Sequence, residues 1–245
     1  MAFAEHLERL KADGFSIVES VFTATEVLRM IEKLECALTS DSESSIKSRG
    51  KVYAARNLID SIPDIQSCFC VAPLLELLNE DLSTQFGLVR VLYFDKPSDR
   101  SWYLPWHKDL TIAVKDNSLP TTHFSKPTCK AGVDHVEASE QLLENMLTLR
   151  IHLDEVTNSN GPLEVIPGSH ATGKAVESSS QEAVKILVNA GDVLAMRPMI
   201  SHASGHTDSE GNLRRRILHL EFSATEQLPD GYQWSHFVRT DHVSS

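Results

Sequence analysis

The stretch Asn158-Ser159-Asn160-Gly161-Pro162-Leu163-Glu164-Val165-Ile166-Pro167-Gly168-Ser169-His170 sets the architecture. Asn160-Gly161 supports a tight turn needing positive φ, and Pro167-Gly168 makes a second turn. Residues 163–166 are left between them as a short strand. The same rhythm of brief apolar runs bounded by turn residues continues on both sides. Upstream, residues 86–94, 110–114 and 147–153 read as strands; downstream, 192–196 and 215–222 do. Seven or eight short strands behind a helical N-terminal part predict a mainly β fold with helices (α+β). Its form is a jelly roll or barrel whose larger sheet has one face covered by the helices.

The N-terminal part reads as helices with one strand. Residues 14–18 form the strand, after an N-terminal helical turn. Thr23 and Glu26 make a capping box, in which a hydroxyl and a carboxylate three residues apart satisfy each other's backbone N–H. Behind it Val27, Ile31, Leu34 and Leu38 share one helical face, and residues 40–45 follow as a polar loop. Residues 73–82 read as a helix with Leu74, Leu75, Leu77 and Leu78 inward. Lys96-Pro97-Ser98-Asp99 breaks the strand before it, and 138–144 is a short helix. Residues 116–136, with Pro120, Pro127 and Gly132, read as a long loop, a length that in a compact domain marks a lid or binding loop. No linker divides the chain, so 1–245 reads as one domain with its core at about 10–225.

Composition narrows the function classes. The 245 residues carry 23 Lys+Arg against 34 Asp+Glu, a net charge of −11, which argues against a nucleic-acid partner. A hydrophobic share of 41% excludes a disordered chain. Residues 1–10 read as neither signal peptide nor membrane span, and no apolar run is long enough to cross a bilayer. The four cysteines show no zinc spacing and no disulfide framework, which points to a reducing cytoplasm. Eleven histidines are the odd feature of the count.

Chemistry concentrates in Trp106-His107-Lys108-Asp109-Leu110. In an extended segment residues two apart point to one side, so His107 and Asp109 aim an imidazole and a carboxylate at one point. A further histidine, His202 in Ser201-His202-Ala203-Ser204-Gly205, follows the strand at 192–196. Two histidines and a carboxylate on neighbouring strands are the donor set of non-haem Fe(II) oxygenases, which leaves three coordination positions open. His206 is a rival to His202, which lies nearer the strand end. The third element is Arg214-Arg215-Arg216-Ile217-Leu218-His219-Leu220-Glu221-Phe222. Alternation places Arg215, Ile217, His219 and Glu221 on one face, and Arg214 and Arg216 on the other. A buried arginine can hold a carboxylate with two charge-assisted hydrogen bonds, which the distal end of 2-oxoglutarate requires.

With these motifs the chain resembles the phytanoyl-CoA dioxygenase family of Fe(II)/2-oxoglutarate oxygenases over roughly residues 10–225. The resemblance implies a double-stranded β-helix that uses Fe(II), 2-oxoglutarate and O2. It also implies release of succinate and CO2 and hydroxylation of a C–H bond in a small or medium metabolite. It matches His107, Asp109 and His202 to the iron ligands and Arg215 to the arginine that holds the distal carboxylate; Arg214 and Arg216 stay open as alternatives. Leu92 matches an apolar contact to 2-oxoglutarate. Arg150 stands where some members have an aromatic residue, and as an arginine it could pair with a carboxylate of cosubstrate or substrate. An intact carboxylate at Asp109 favours hydroxylation over halogenation, since related halogenases have a small residue there.

Within 116–136, Lys130 and His135 are the first choices for substrate contacts, with Arg56-Asn57 behind them. Trp102, Tyr103 and Trp106 read as packing under the loop, and His170 as structural. The partner expected is a small-molecule substrate, with neither nucleic acid nor membrane, for a monomer or homodimer. The competing reading is a metal-binding jelly roll without oxygenase activity, a cupin-like isomerase or a binding protein.

Overall fold

A computed structural model describes residues 3–40, 45–48, 51–62, 64–96, 103–178, 182–205 and 214–240. The chain begins with α1 (Phe3–Ala12), β1 (Phe15–Val18) and α2 (Ala24–Ser40). Helix α2 starts at the capping box: the Thr23 N–H donates to Glu26 Oε2 at 2.8 Å and the Glu26 N–H donates to Thr23 Oγ1 at 3.3 Å. Val27, Leu34 and Leu38 are buried, together with Met30 and Ala37, while Ile31 packs at the margin. Then come β2 (Ser45–Ser48), β3 (Lys51–Ala55), α3 (Ala72–Leu82) and β4 (Gly87–Lys96). Pro73 opens α3, where a missing N–H costs nothing, and Leu74, Leu77 and Leu78 are its buried face.

The rest is nearly all strand: β5 (Leu104–His107), β6 (Thr111–Val114), β7 (Ser125–Lys130), β8 (Val133–Glu137), the short helix α4 (Glu140–Glu144) and β9 (Met146–His152). The chain continues through β10 (Leu163–Val165), β11 (Val184–Ile186), β12 (Val193–Met196), β13 (His202–Ser204), β14 (Arg215–Ser223) and β15 (Val238–Arg239). The large sheet runs β1-β12-β9-β14-β4-β3-β2, with β15 also on β4, and the small sheet runs β11-β10-β13-β5. Every pairing is antiparallel. This is the jelly roll that the turn rhythm predicts.

Alternation divides the large sheet into two unlike faces. Val91, Tyr93, Leu149, Ile151, Leu218 and Leu220 join the apolar faces of α1, α2 and α3 in one core. Each fully buried leucine there contributes about 1.5–3 kcal/mol against exposure. The other face looks toward the small sheet. At one end Leu194 and Met196 pack on Leu163, Val165 and Ile186. Elsewhere it is polar, with Arg90, Lys96, Arg150, His152, Arg215, His219 and Glu221 all buried.

Three expectations need correction. Residues 116–136 are not a structureless loop: β7 and β8 form a hairpin that joins β6 in a third sheet of order β6-β8-β7. Its two-residue turn is Ala131-Gly132, at φ +49° and +76°, the double positive φ that matches strand twist. The exposed, polar β7 with its internal Pro127 hid the strand, because an edge strand has one solvated face. The N-terminal part also holds β2 and β3 beyond its one expected strand, and the total is well above eight. Tyr103 is 52% exposed, so it is not packed under a loop, whereas Trp106 is partly buried. The polar loop at 41–44, the breaker at 97–99, Trp102 and His206 lie outside the described residues.

Candidate metal centre

His107 ends β5 and His202 begins β13, and the two are cross-strand partners in the small sheet. Their ring centroids are 4.1 Å apart. Asp109 lies just past β5, held by its N–H donating to the Pro198 carbonyl at 2.9 Å. Its Oδ1 is 4.0 Å from His107 Nε2 and its Oδ2 is 3.6 Å from His202 Nε2. One donor atom from each of the three residues falls within 4.8 Å of the others, and no other such trio of His, Cys, Asp or Glu occurs among the described residues.

The tautomers are set by the backbone. His107 Nδ1 lies 2.7 Å from the Pro105 carbonyl and His202 Nδ1 lies 2.9 Å from the Ile200 carbonyl. A carbonyl only accepts, so both Nδ1 atoms carry the proton and both Nε2 lone pairs face Asp109. That is how metal-binding histidines are oriented by the groups behind them. Burial pushes the His202 imidazole down to about 4, against the pull of Asp109, so it is neutral at pH 7. Desolvation alone would raise the Asp109 carboxyl; His202, then His219, His107 and Arg90, outweigh it and hold the group below the usual carboxylate range. Two imidazoles and one carboxylate, with no thiolate, suit a divalent iron ion.

The segment quoted at the outset has a positioning role. Between the ligand candidates, Lys108 points the opposite way and is buried. Its Nζ donates to the carbonyls of Ser169 and Gly173, each at 2.7 Å. Ser169 Oγ accepts from the Ser201 N–H at 2.8 Å, next to His202. One 3₁₀ turn, Ser169–Thr172, thereby fixes both strands that carry the trio. His170, in the same turn, is not one of the trio; its Nε2 lies against the Lys11 carbonyl.

The facing wall is the polar side of the large sheet. The three arginines have different fates. Arg214 forms a two-pronged pair with Asp95, and Arg216 pairs with Asp154. Arg215 points inward, is buried, and makes a single side-chain contact, NH2 to Ser204 Oγ at 3.3 Å; its Nε has no partner among the described residues. Burial, with Arg150 beside it, pushes Arg215 down to about 9. Arg150 Nε is likewise unpartnered, and its NH1 donates to His219 Nδ1 at 3.2 Å. His219 then donates from Nε2 to Glu221 at 3.0 Å, and Arg90 closes the chain on Glu221 at 2.5 Å. Leu92 is buried on the same face, opposite His219.

Lys130 and His135 both lie on the hairpin, where Arg90 and Arg56 are among the charges each of them feels. Lys130 Nζ donates to Thr111 Oγ1 at 3.3 Å, and His135 is buried on β8. Lys96, Lys108 and the pairing of Arg90 with Glu221 are absent from the sequence reading, which places His219 and Glu221 on the Arg215 face. Alternation along β4, which puts Arg90, Leu92, Phe94 and Lys96 on one face, was the available signal for the first and third.

Fold and site together define a jelly-roll protein with a two-histidine, one-carboxylate centre and two buried arginines, Arg150 and Arg215, whose Nε atoms have no partner among the described residues. Residues 10–217 match the family model of phytanoyl-CoA dioxygenase (PhyH), and the chain belongs to that family. The iron/alpha-ketoglutarate-dependent dioxygenase ausU of Aspergillus calidoustus is 24% identical over 217 residues, covering 84% of this chain and 66% of that relative. Among solved structures, AviO1 from Streptomyces viridochromogenes has a TM-score of 0.63 at 20% identity, covering 93% of this chain and 97% of that one. EctD from S. alaskensis with bound Fe has a TM-score of 0.67 at 19% identity, covering 90% and 76%. At these identities the likeness to the solved structures is one of fold.

Proposed function

We propose that the protein is an Fe(II)- and 2-oxoglutarate-dependent dioxygenase that hydroxylates a small or medium metabolite, using O2 and releasing succinate and CO2. The observation that carries this reading is the pairing of two features across one cavity. His107, Asp109 and His202 present convergent donors, and Arg215 presents a buried guanidinium without a carboxylate partner among the described residues. A buried cation so poorly paired is half of an ion pair, and the distal carboxylate of 2-oxoglutarate is the missing half.

In this reading His107, Asp109 and His202 hold the iron, which when bound couples O2 reduction and 2-oxoglutarate decarboxylation to substrate oxidation. Arg215 anchors the cosubstrate, and Arg150 adds a second positive charge nearby. Leu92 with Ile217 keeps water from the carboxylate end. Asp109 keeps the centre in its hydroxylating form by occupying the position a halide would need. The intact trio and the unpaired Arg215 speak against a vestigial, non-oxygenase jelly roll.

The protein is further read as a single domain, monomeric or dimeric, acting in the cytoplasm without nucleic acid or membrane. Cys68, Cys70 and Cys129 carry no disulfide, and no helix among the described residues is long and apolar enough to cross a membrane. The test is anaerobic addition of Fe(II) and 2-oxoglutarate, which should give the visible charge-transfer band of the chelate. Admission of air should then release succinate. Absence of both would return the non-oxygenase reading.

A further inference from the structure

Beyond the cosubstrate arginines lies a second group of cations that the reaction itself does not need. Lys130 ends β7, and its hydrogen bond to Thr111 ties it to the strand that leaves Asp109. Arg56 is held beside the same hairpin, close enough for its charge to act on Lys130. The neighbouring Asn57 donates from Nδ2 to the carbonyl of Ala131, in the hairpin turn, at 3.2 Å. Arg56 and Lys130 each lie within electrostatic reach of the other's surroundings: Arg90, Glu221 and Asp109. Glu221 already pairs with Arg90, and Asp109 is committed to the metal centre. Neither Arg56 nor Lys130 has a carboxylate of its own in an ion pair among the described residues. Two cations under a lid, partly removed from water and repelling each other, are stabilised by an anion placed between them.

His135 adds a specific contact. Its Nδ1 donates to the Val133 carbonyl at 2.9 Å, so its Nε2 carries a lone pair. Burial pushes the ring down to about 4, with Arg90, Lys130 and Arg56 in the same sense, so it stays neutral at pH 7. A neutral acceptor beside two cations calls for a hydroxyl or ammonium group next to the anionic one.

Resting on the oxygenase reading, we propose that the substrate is a small anion. Its carboxylate or phosphate lies between Arg56 and Lys130 beneath the β7–β8 hairpin, and an adjacent donor group meets His135. The experiment has two readouts. The first is succinate release by the iron-loaded protein with a panel of small hydroxy acids, amino acids and phosphate monoesters, each beside its neutral amide or alcohol. The second is the melting temperature of the metal-free protein with the same compounds. Acids or phosphate monoesters should stimulate succinate release and raise the melting temperature while their neutral counterparts do neither, and the responding arm names the anion. Arg56→Gln and Lys130→Gln should each raise the substrate KM about tenfold or more and abolish the melting shift, with Lys130→Arg restoring much of both. Neutral compounds acting equally well, no anion shifting the melting temperature, or variants that move the 2-oxoglutarate KM instead would overturn the proposal. Failure of the oxygenase reading is separate: the chelate band and succinate would be absent while the anion still raises the melting temperature.

Discussion

At the scale of single residues, the two histidines proposed to hold the iron owe their orientation to carbonyl oxygens. Pro105 and Ile200 each accept an Nδ1 proton and so leave Nε2 bare. His107→Ala or Asp109→Ala should lower succinate formation more than about 100-fold while circular dichroism and melting stay near wild type, because removing a ligand costs more than disturbing its support. Normal turnover in either variant would show the ligand assignment to be wrong. The three consecutive arginines, at the start of β14, differ in the face they occupy and in the partners they meet there. Arg215→Ala should weaken 2-oxoglutarate binding by roughly 10- to 100-fold, the worth of about 1.5–3 kcal/mol in a charged hydrogen bond. Arg214→Ala and Arg216→Ala, which lose Asp95 and Asp154 instead, should shift that affinity little and mainly reduce stability. Titrating the chelate band with 2-oxoglutarate separates the cases, and an unchanged affinity in Arg215→Ala would move the anchor elsewhere.

At the scale of elements, the decisive object is the turn Ser169–Thr172, which fastens the β5 end and the β13 start together. Lys108→Met removes the buried ammonium and leaves the Ser169 and Gly173 carbonyls short of a donor. The expected result is a loss of about 1–3 kcal/mol in unfolding free energy and a 10- to 100-fold fall in iron affinity. Chemical denaturation and metal titration measure the two, and a stability loss with unaltered iron affinity would reduce Lys108 to a packing role. The β7–β8 hairpin teaches a different lesson. Its pattern is polar and interrupted by Pro127, so its existence depends on β6 supplying the partner edge, through pairs such as Ala113 with His135.

At the scale of the whole molecule, the chain carries a net charge of −11, yet Arg90, Arg150, Arg215 and Lys96 are buried on the inner face of the large sheet, with Glu221 among them. Buried neutral histidines link this interior to pH. Burial pushes His135 to about 4, and burial with Arg150 and Arg215 pushes His152 to about 3. Unfolded, both would titrate near the ordinary histidine value of about 6.5. Above that pH neither state is protonated and the two groups leave stability unchanged. As pH falls below it, the unfolded chain binds protons that the folded chain refuses. Stability should therefore drop by up to about 1.4 kcal/mol per pH unit for each histidine, down to the folded values. Urea unfolding from pH 7 to pH 4 measures the slope, and His152→Asn should flatten it. An equal slope in that variant would assign the acid sensitivity to other groups.

The strand rhythm, the Thr23–Glu26 cap, the leucines of α3, the donor residues and the inward face of β14 were legible in the sequence. Each depends on neighbours within a few positions, through turn chemistry or a period of two or 3.6 residues. Tertiary structure alone decided which arginine is unpaired, because Asp95 lies 119 residues from Arg214 and Asp154 lies 62 from Arg216. It also decided that His107 and His202 are cross-strand partners, that Lys108 turns away to clamp a distant loop, and that 125–137 is a hairpin. These features come from contacts between segments far apart in the chain, and no local pattern of residues encodes which distant partner a side chain will meet.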